Sequence, residues 1–494
     1  MRKTLTAAAG AMTTLLLVSA CGDGAATRAT PERLNALLQD GIDPDRAARA
    51  DERLARLLGR DNATGALAGP YGGQEDGTGA DLGQLLVAAL ERNTTIGAAA
   101  QDINRADAER LNAIFGYLPQ ISFDATYSQI NQRVVESDNA VFQEGEAEYP
   151  VLDYRLLVNQ PLLDLGRLFG LQVATNARSL AEVTYIATVR DVTFEVTDAY
   201  LVALQADRQA RFLRQRQELL ARQAASNATL QELGLGDITA ESSVRGEAAS
   251  LAAREATELA SAAEALGRLS GLTGVTVTGV GATSFPSDVR GVERRVSAQQ
   301  AVEDGLANNP AIAAAALRAV GGELDRRRAL AEDFSPVVSA FASLEYQDRD
   351  ASRFGGGSVT EDTTIGVSLR VPLFNAAGEG YGSRPARVAG NALVLEYHAA
   401  RRELETEIVA THNRLAALTR AIGASRNAVT QARRGLQAER ERLLSGETVD
   451  IAVVGRQLRL NVVESEVDFY DLEYLRAWAR LQYLMGRDLS RAGG

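Results

Sequence analysis

Glu91-Arg92-Asn93-Thr94-Thr95-Ile96-Gly97-Ala98-Ala99-Ala100 returns far down the chain as Ala307-Asn308-Asn309-Pro310-Ala311-Ile312-Ala313-Ala314-Ala315-Ala316. The surroundings return with it. Tyr117-Leu118-Pro119 comes back as Phe334-Ser335-Pro336, and Gln160-Pro161-Leu162-Leu163 as Val371-Pro372-Leu373-Phe374. Gly236 comes back as Gly446, and Leu269-Ser270-Gly271 as Leu484-Met485-Gly486. All of these offsets lie between 210 and 217 residues. A fixed long period means a duplicated structural unit. The expected copies are 81–274 and 297–490, joined by a linker over 275–296.

Each copy has the same order of elements. A helix of about 37 residues (81–117; 297–334) stops before a proline, which disfavours helix in the residue ahead of it. Two strands follow, at about 119–135 and 150–160 in the first copy and about 336–348 and 362–373 in the second. A very long helix comes next (about 165–233; about 375–444, regular from about 384 with Ser383 a candidate cap), then a glycine break and a last helix (237–271; 449–487). At 1.5 Å per residue a helix of about 70 residues runs roughly 105 Å. The two shorter helices of a copy sum to about that length, so one long helix beside two stacked end to end is the economical packing. Leu415, Ile422, Val429, Leu436 and Leu443 recur every seven residues, with Leu404, Ile408 and Leu418 between them, as side-by-side helices require.

The strands alternate. Ile121, Phe123, Ala125 and Tyr127 share one face and Ser122, Asp124, Thr126 and Ser128 the other. Leu152, Tyr154, Leu156 and Val158 oppose Asp153, Arg155 and Asn159, and the two later strands repeat the pattern. Strands of about ten residues, apolar on one side and polar on the other, are what a membrane β-barrel with a wet lumen uses. A soluble sheet with one buried face is the competing reading. Lipid tolerates no open sheet edge, so four membrane strands require an oligomer that shares one barrel. Two copies would give eight strands with a filled interior, and three would give twelve and a pore.

Composition removes other classes. The 494 residues include one Cys and two His, which rules out a disulfide framework and leaves little for a metal centre. A net charge of −12 and a pI near 5.0 argue against nucleic acid. Mean hydropathy is −0.12, far from that of a multi-helix transporter. Few aromatics (5%) and 11 prolines favour long helices.

The start of the chain is an address. Arg2 and Lys3 precede an apolar run, Leu5 to Ala20, that closes as Leu17-Val18-Ser19-Ala20-Cys21-Gly22. This resembles a bacterial lipoprotein signal peptide over 1–20, with Cys21 as the lipidated residue, a palmitate-bearing anchor. Gly22 lacks the aspartate that often retains such proteins at the inner membrane, so the cell outer membrane is expected. Segment 21–80 reads as a tether or equatorial wrap.

With these motifs in order, the chain resembles the TolC-like outer-membrane efflux protein family (outer membrane factors), specifically its lipoprotein branch. The resemblance implies a mainly α fold with a β-barrel part: a homotrimer with an α-helical periplasmic tunnel and a shared twelve-stranded transmembrane β-barrel. It implies a passive exit channel of a tripartite efflux system, with a periplasmic adaptor (membrane fusion) protein and an inner-membrane pump as partners. It implies adaptor contact at the two helical hairpin tips, Leu235, Gly236, Asp237 and Ile238 in one copy and Ser445, Gly446, Glu447 and Thr448 in the other. Gly there would end one helix and Asp or Thr cap the next.

Glu241 and Asp450 are candidate residues of the periplasmic gate. Where the family often has Leu-Asp-Ala-Gln, this chain has Val454-Gly455-Arg456-Gln457. The acidic gate residue is missing there, and Arg456 is a candidate for a salt bridge holding the mouth closed.

No nucleophile–base–orienter set can be assembled, and no enzyme, cofactor or metal is expected. His398 and His412 lie fourteen residues apart on one helix, about 21 Å. Type I protein secretion through the same channel is the alternative function. A lipid-tethered periplasmic coiled-coil scaffold is the alternative of another class, and it would need no lipid-facing apolar rows.

Overall fold

A computed structural model describes residues 79–135, 145–232, 238–281, 289–351, 356–372 and 383–487. Cys21, the signal peptide, segment 21–78, and Leu235, Gly236 and Asp237 of the first tip lie outside the described residues.

The elements follow the duplicated order. In the first copy α1 (Leu82–Arg92) and α2 (Thr94–Phe115) lead to β1 (Gln120–Val134) and β2 (Gly145–Leu163), then α3 (Leu165–Glu232) and α4 (Ile238–Thr273). A short α5 (Val292–Arg295) lies in the linker. The second copy runs α6 (Ala298–Asn308), α7 (Pro310–Phe334), β3 (Val337–Arg349), β4 (Ser358–Arg370), α8 (Arg384–Leu444) and α9 (Asp450–Leu484). The long helices and the four strands run unbroken. The 37-residue helices do not: each is broken once, at Asn93 and at Asn309. Both asparagines have extended backbones, and Pro310 then opens α7 at the first helical position, where its missing N–H is no loss.

Contacts divide the chain into two compact units. Among the described residues, one holds those up to Gly97, those of Ile186–Pro310 and those from Arg402; the other holds those of Ala98–Tyr185 and Ala311–Arg401. In the first unit α3 and α4 pack along one another through Leu220, Val244 and Leu251, with Arg214–Glu255 (2.8 Å) and Arg216–Glu247 (2.8 Å) flanking the seam. α8 buries Leu415, Ile422 and Leu436 of the heptad series, with Leu404 and Ile408 in its earlier turns, and Arg433–Glu464 (2.8 Å) joins it to α9. The ends of α4 and α9 abut the helix breaks. Asn93 Nδ2 donates to Leu272 O (2.9 Å), and Asn309 Nδ2 donates to Leu484 O (3.0 Å). The left-handed residue after α4 is Gly274 (φ 65°) and after α9 Gly486 (φ 70°). Gly274 therefore matches Gly486, and Leu269-Ser270-Gly271 lies inside α4, three residues short of the equivalence drawn from sequence. The linker is anchored as well: Val280 bridges Ala80 in parallel, and Tyr200 Oη donates to Gly281 O (2.6 Å).

The second unit carries one four-stranded antiparallel sheet in the order β1-β2-β3-β4. β2 starts five residues before its sequence-expected start and pairs with β1 out to Val134↔Gly145. The register shifts between Pro161 and Leu163, where a proline cannot donate to the ladder. Gln160 Nε2 donates to Tyr117 O (2.8 Å) and Tyr117 Oη to Asp164 O (3.2 Å), tying the end of β2 to the end of α2. This gives Gln160 of the Gln-Pro-Leu motif a structural purpose. Among the described residues β1 and β4 each have one neighbour in the sheet, so both edges are open there.

Candidate functional site

The α8–α9 tip is built by a paired helix stop. The Gly446 N–H donates to Leu443 O (3.1 Å) and the Glu447 N–H to Arg442 O (2.8 Å). Together these satisfy the last carbonyls of α8 and require a left-handed residue; Gly446 supplies it with φ 76°. The expected cap of the next helix is corrected. Val449 is the N-cap of α9 and makes no side-chain cap bond; Thr448 precedes it and Asp450 is the first helical residue. The Asp450 carboxylate acts there on the positive end of the helix dipole. Ser445, Gly446 and Glu447 are exposed. Leu444 (89% exposed) and Val449 (55%) bracket them as apolar flanks. Both lie in the tip stretch Leu444–Asp450 of the sequence.

Arg456 lies 3.6 Å from Glu439, whose other oxygen faces Arg442 at 3.4 Å; Arg442 in turn reaches Glu447 at 3.7 Å. Glu439 is buried and Arg456 half exposed. The Arg456 bridge thus joins α9 to α8 within one hairpin and ties its ion pairs to the tip. Glu241 sits in the first turn of α4 and pairs with Arg245 one turn on (2.5 Å). Ile238 opens α4.

The second feature is the sheet. Directly paired residues share a face, so the register assigns each row. One face reads Ile121–Val158–Ala342–Ile365, then Phe123–Leu156–Leu344–Thr363, then Ala125–Tyr154–Tyr346–Glu361. Below these lie Ala340–Val367 and Val338–Leu369, and above them Tyr127–Leu152–Asp348–Val359. Ile365 (76%), Tyr127 (70%) and Phe123 (65%) are exposed, with no core over them. The Phe123–Tyr154 and Tyr154–Tyr346 ring centroids stand 6.1 Å apart across the strands, on the hairpin side of the middle of the band. From Leu369 to the row of Tyr127 the face covers about 34 Å along the strands, or about 26 Å at a barrel tilt of about 40°. That matches the height of a lipid-facing band. The opposite face is polar: Ser122, Asp124 and Thr126 pair with Leu157, Arg155 and Asp153. Among the described residues no helix is long and apolar enough to cross a membrane, and no cluster of His, Cys, Asp and Glu could hold a metal.

A sheet with an exposed apolar band and open edges, set in a chain of duplicated long-helix hairpins, defines an outer-membrane channel subunit. The chain belongs to the outer membrane efflux protein family, whose sequence profile matches residues 85–275 and 301–487. It is 24% identical over 407 residues to the alkaline protease secretion protein AprF of Pseudomonas aeruginosa, covering 81% of this chain and 82% of that one. Its fold is that of the outer membrane protein VceC of Vibrio cholerae (TM-score 0.64, 18% identity, 82% of this chain and 96% of that one). It is likewise that of the open MtrE outer membrane channel of Neisseria gonorrhoeae (TM-score 0.65, 16% identity, 84% and 91%). The family is one of channels in the outer membrane and carries out no catalysis.

Proposed function

We propose that three copies of this chain close one twelve-stranded barrel and act as the passive outer-membrane duct of a tripartite efflux system. The observation that carries this reading is the open four-stranded sheet with its exposed apolar face. Lipid cannot accommodate the unpaired edges of β1 and β4, and a pore-free scaffold has no use for the apolar rows. In this reading the helices form a periplasmic tunnel, and an inner-membrane pump drives small molecules into it through a periplasmic adaptor. The adaptor would seat on the tips at Ser445–Thr448 and at Leu235–Ile238, with Leu444 and Val449 as apolar anchors. Cys21 would carry the lipid. Glu241, Asp450 and the Arg456–Glu439 bridge would set the width and charge of the periplasmic mouth.

Type I protein secretion is the second reading, and the likeness to a protease secretion protein favours it. Gene deletion separates the two. Efflux predicts new sensitivity to drugs, dyes or metals with an unchanged set of exported proteins; secretion predicts the reverse. The channel itself is tested by purification from outer membranes: a heat-modifiable trimer that conducts ions in planar bilayers is expected, and a soluble, non-conducting product would sink it.

A further inference from the structure

The polar face of the sheet holds one row in which every strand contributes a charge: Asp124 on β1, Arg155 on β2, Glu345 on β3 and Asp362 on β4, all directly paired. The neighbouring rows of that face are Ser122–Leu157–Ser343–Thr364, without charge, and Thr126–Asp153–Gln347–Thr360, with one. Its other charges stand singly, Arg349 stacked 4.2 Å over Tyr149 and Arg370 at the helix end of β4. Within the row Arg155 donates to Glu345 through Nε (3.2 Å) and Nη2 (3.0 Å), which neutralises one carboxylate. Asp124 and Asp362 are exposed and form no ion pair among the described residues. Three carboxylates against one guanidinium leave two negative charges per chain.

The two faces fix where this charge points. Phe123, Leu156 and Leu344 lie one residue away on the opposite, exposed apolar face. If that face meets lipid, the charged row faces the lumen, level with the band and on the hairpin side of its middle. We propose that Asp124, Arg155, Glu345 and Asp362 of three copies form one charge ring inside the barrel, net six negative charges, and that this ring makes the pore favour cations over anions. Rings of acidic side chains select in this way by raising the local cation concentration. Twelve strands about 4.8 Å apart, tilted by about 40°, give a barrel radius of about 12 Å. The Debye length is about 10 Å at 0.1 M salt and about 3 Å at 1 M, so the ring reaches the pore axis only in dilute salt.

The inference rests on the shared-barrel reading, and one experiment separates the two. The purified wild-type trimer and its variants are placed in planar bilayers under a KCl gradient and the reversal potential is read at about 0.1 M and about 1 M mean salt. At the lower salt the wild type should prefer K⁺. D124N/D362N should lower the K⁺/Cl⁻ permeability ratio by about twofold or more, and R155Q should raise it. Both shifts should fade at the higher salt. Opposite signs from opposite charge changes cannot come from general misfolding, and R155Q alone decides the matter if the double variant fails to assemble. Conducting variants that keep the wild-type reversal potential would overturn the ring while leaving the channel standing. A wild-type protein without conductance would overturn both.

Discussion

The side chain of Asn93 serves two helix ends at once. Asn93 Oδ1 accepts from the N–H groups of Thr95 (2.9 Å) and Ile96 (3.2 Å), capping α2, while its Nδ2 closes the carbonyl end of α4. Asn309, nearly buried, does the second of these jobs for α9. Asn309→Ala leaves the Leu484 carbonyl unsatisfied and should cost about 1–3 kcal/mol, read as a lower melting temperature of the helical circular-dichroism signal. Asp at either site keeps the acceptor and loses the donor, so Asn93→Asp should recover only the capping part. Tyr474 offers a second test. Its hydroxyl accepts from the Gly291 N–H (2.8 Å), and it meets Glu293 (2.9 Å) and Val289 O (3.2 Å), which fastens the linker to α9. Burial first, and then the Glu293 carboxylate, push the phenol up from 10.0 to about 12. A raised pKa favours the protonated form in the folded chain. This contribution is therefore complete below pH 10 and disappears as the pH climbs through about 12. Melting temperatures should fall more steeply over that range for the wild type than for Tyr474→Phe; parallel curves would refute the assignment.

At the scale of elements, the two left-handed glycines of the second copy look alike in sequence and differ in surroundings. A Cβ on Gly446 would meet nothing within 4 Å, whereas one on Gly486 would lie 2.4 Å from Asn308 O and 2.6 Å from its carbon. Gly446→Ala should cost only the backbone strain, about 1–2 kcal/mol. Gly486→Ala must also separate the end of α9 from the α6–α7 break and should cost clearly more. Denaturant titration of both variants ranks them, and equal losses would refute the close approach. The same comparison shows what was legible. Heptads, strand alternation and the glycine at the tip are local periodic signals, and helix limits, strand faces and the Gly446 turn could be read from them. The breaks at Asn93 and Asn309 were hidden because the alanine-rich run continues helical periodicity across them, although Asn-Pro already marked the second. Glu439 was hidden for another reason. It occupies a heptad position of the α8 seam, where a carboxylate reads as a solvated charge until Arg442 and Arg456 are seen beside it.

At the scale of the whole molecule, each copy of the repeat leaves its strands unfinished, and the duplicated sheet still has two open edges. That incompleteness was legible from strand count alone; the charged row across the four strands was not, because it depends on a register that no strand carries by itself. The lipid anchor can be tested on an equally global property. Of the 52 lysines and arginines only Lys3 is a lysine, and it lies in the segment that processing at Cys21 would remove. A mature chain starting at Cys21 then has a single primary amine, its own N-terminus, and N-acylation of that cysteine removes it. The denatured mature protein should therefore resist amine-reactive dye, and its N-terminal peptide should carry the mass of the acyl groups. Cys21→Ser should block this processing, keep Lys3 and the leader amine, and take up dye. A free amine at Cys21 together with the mass of a thioether-linked lipid would mean that anchoring stops before N-acylation. A wild-type chain that labels and starts at any other residue would sink the assignment of Cys21, and with it the tether expected of residues 21–80.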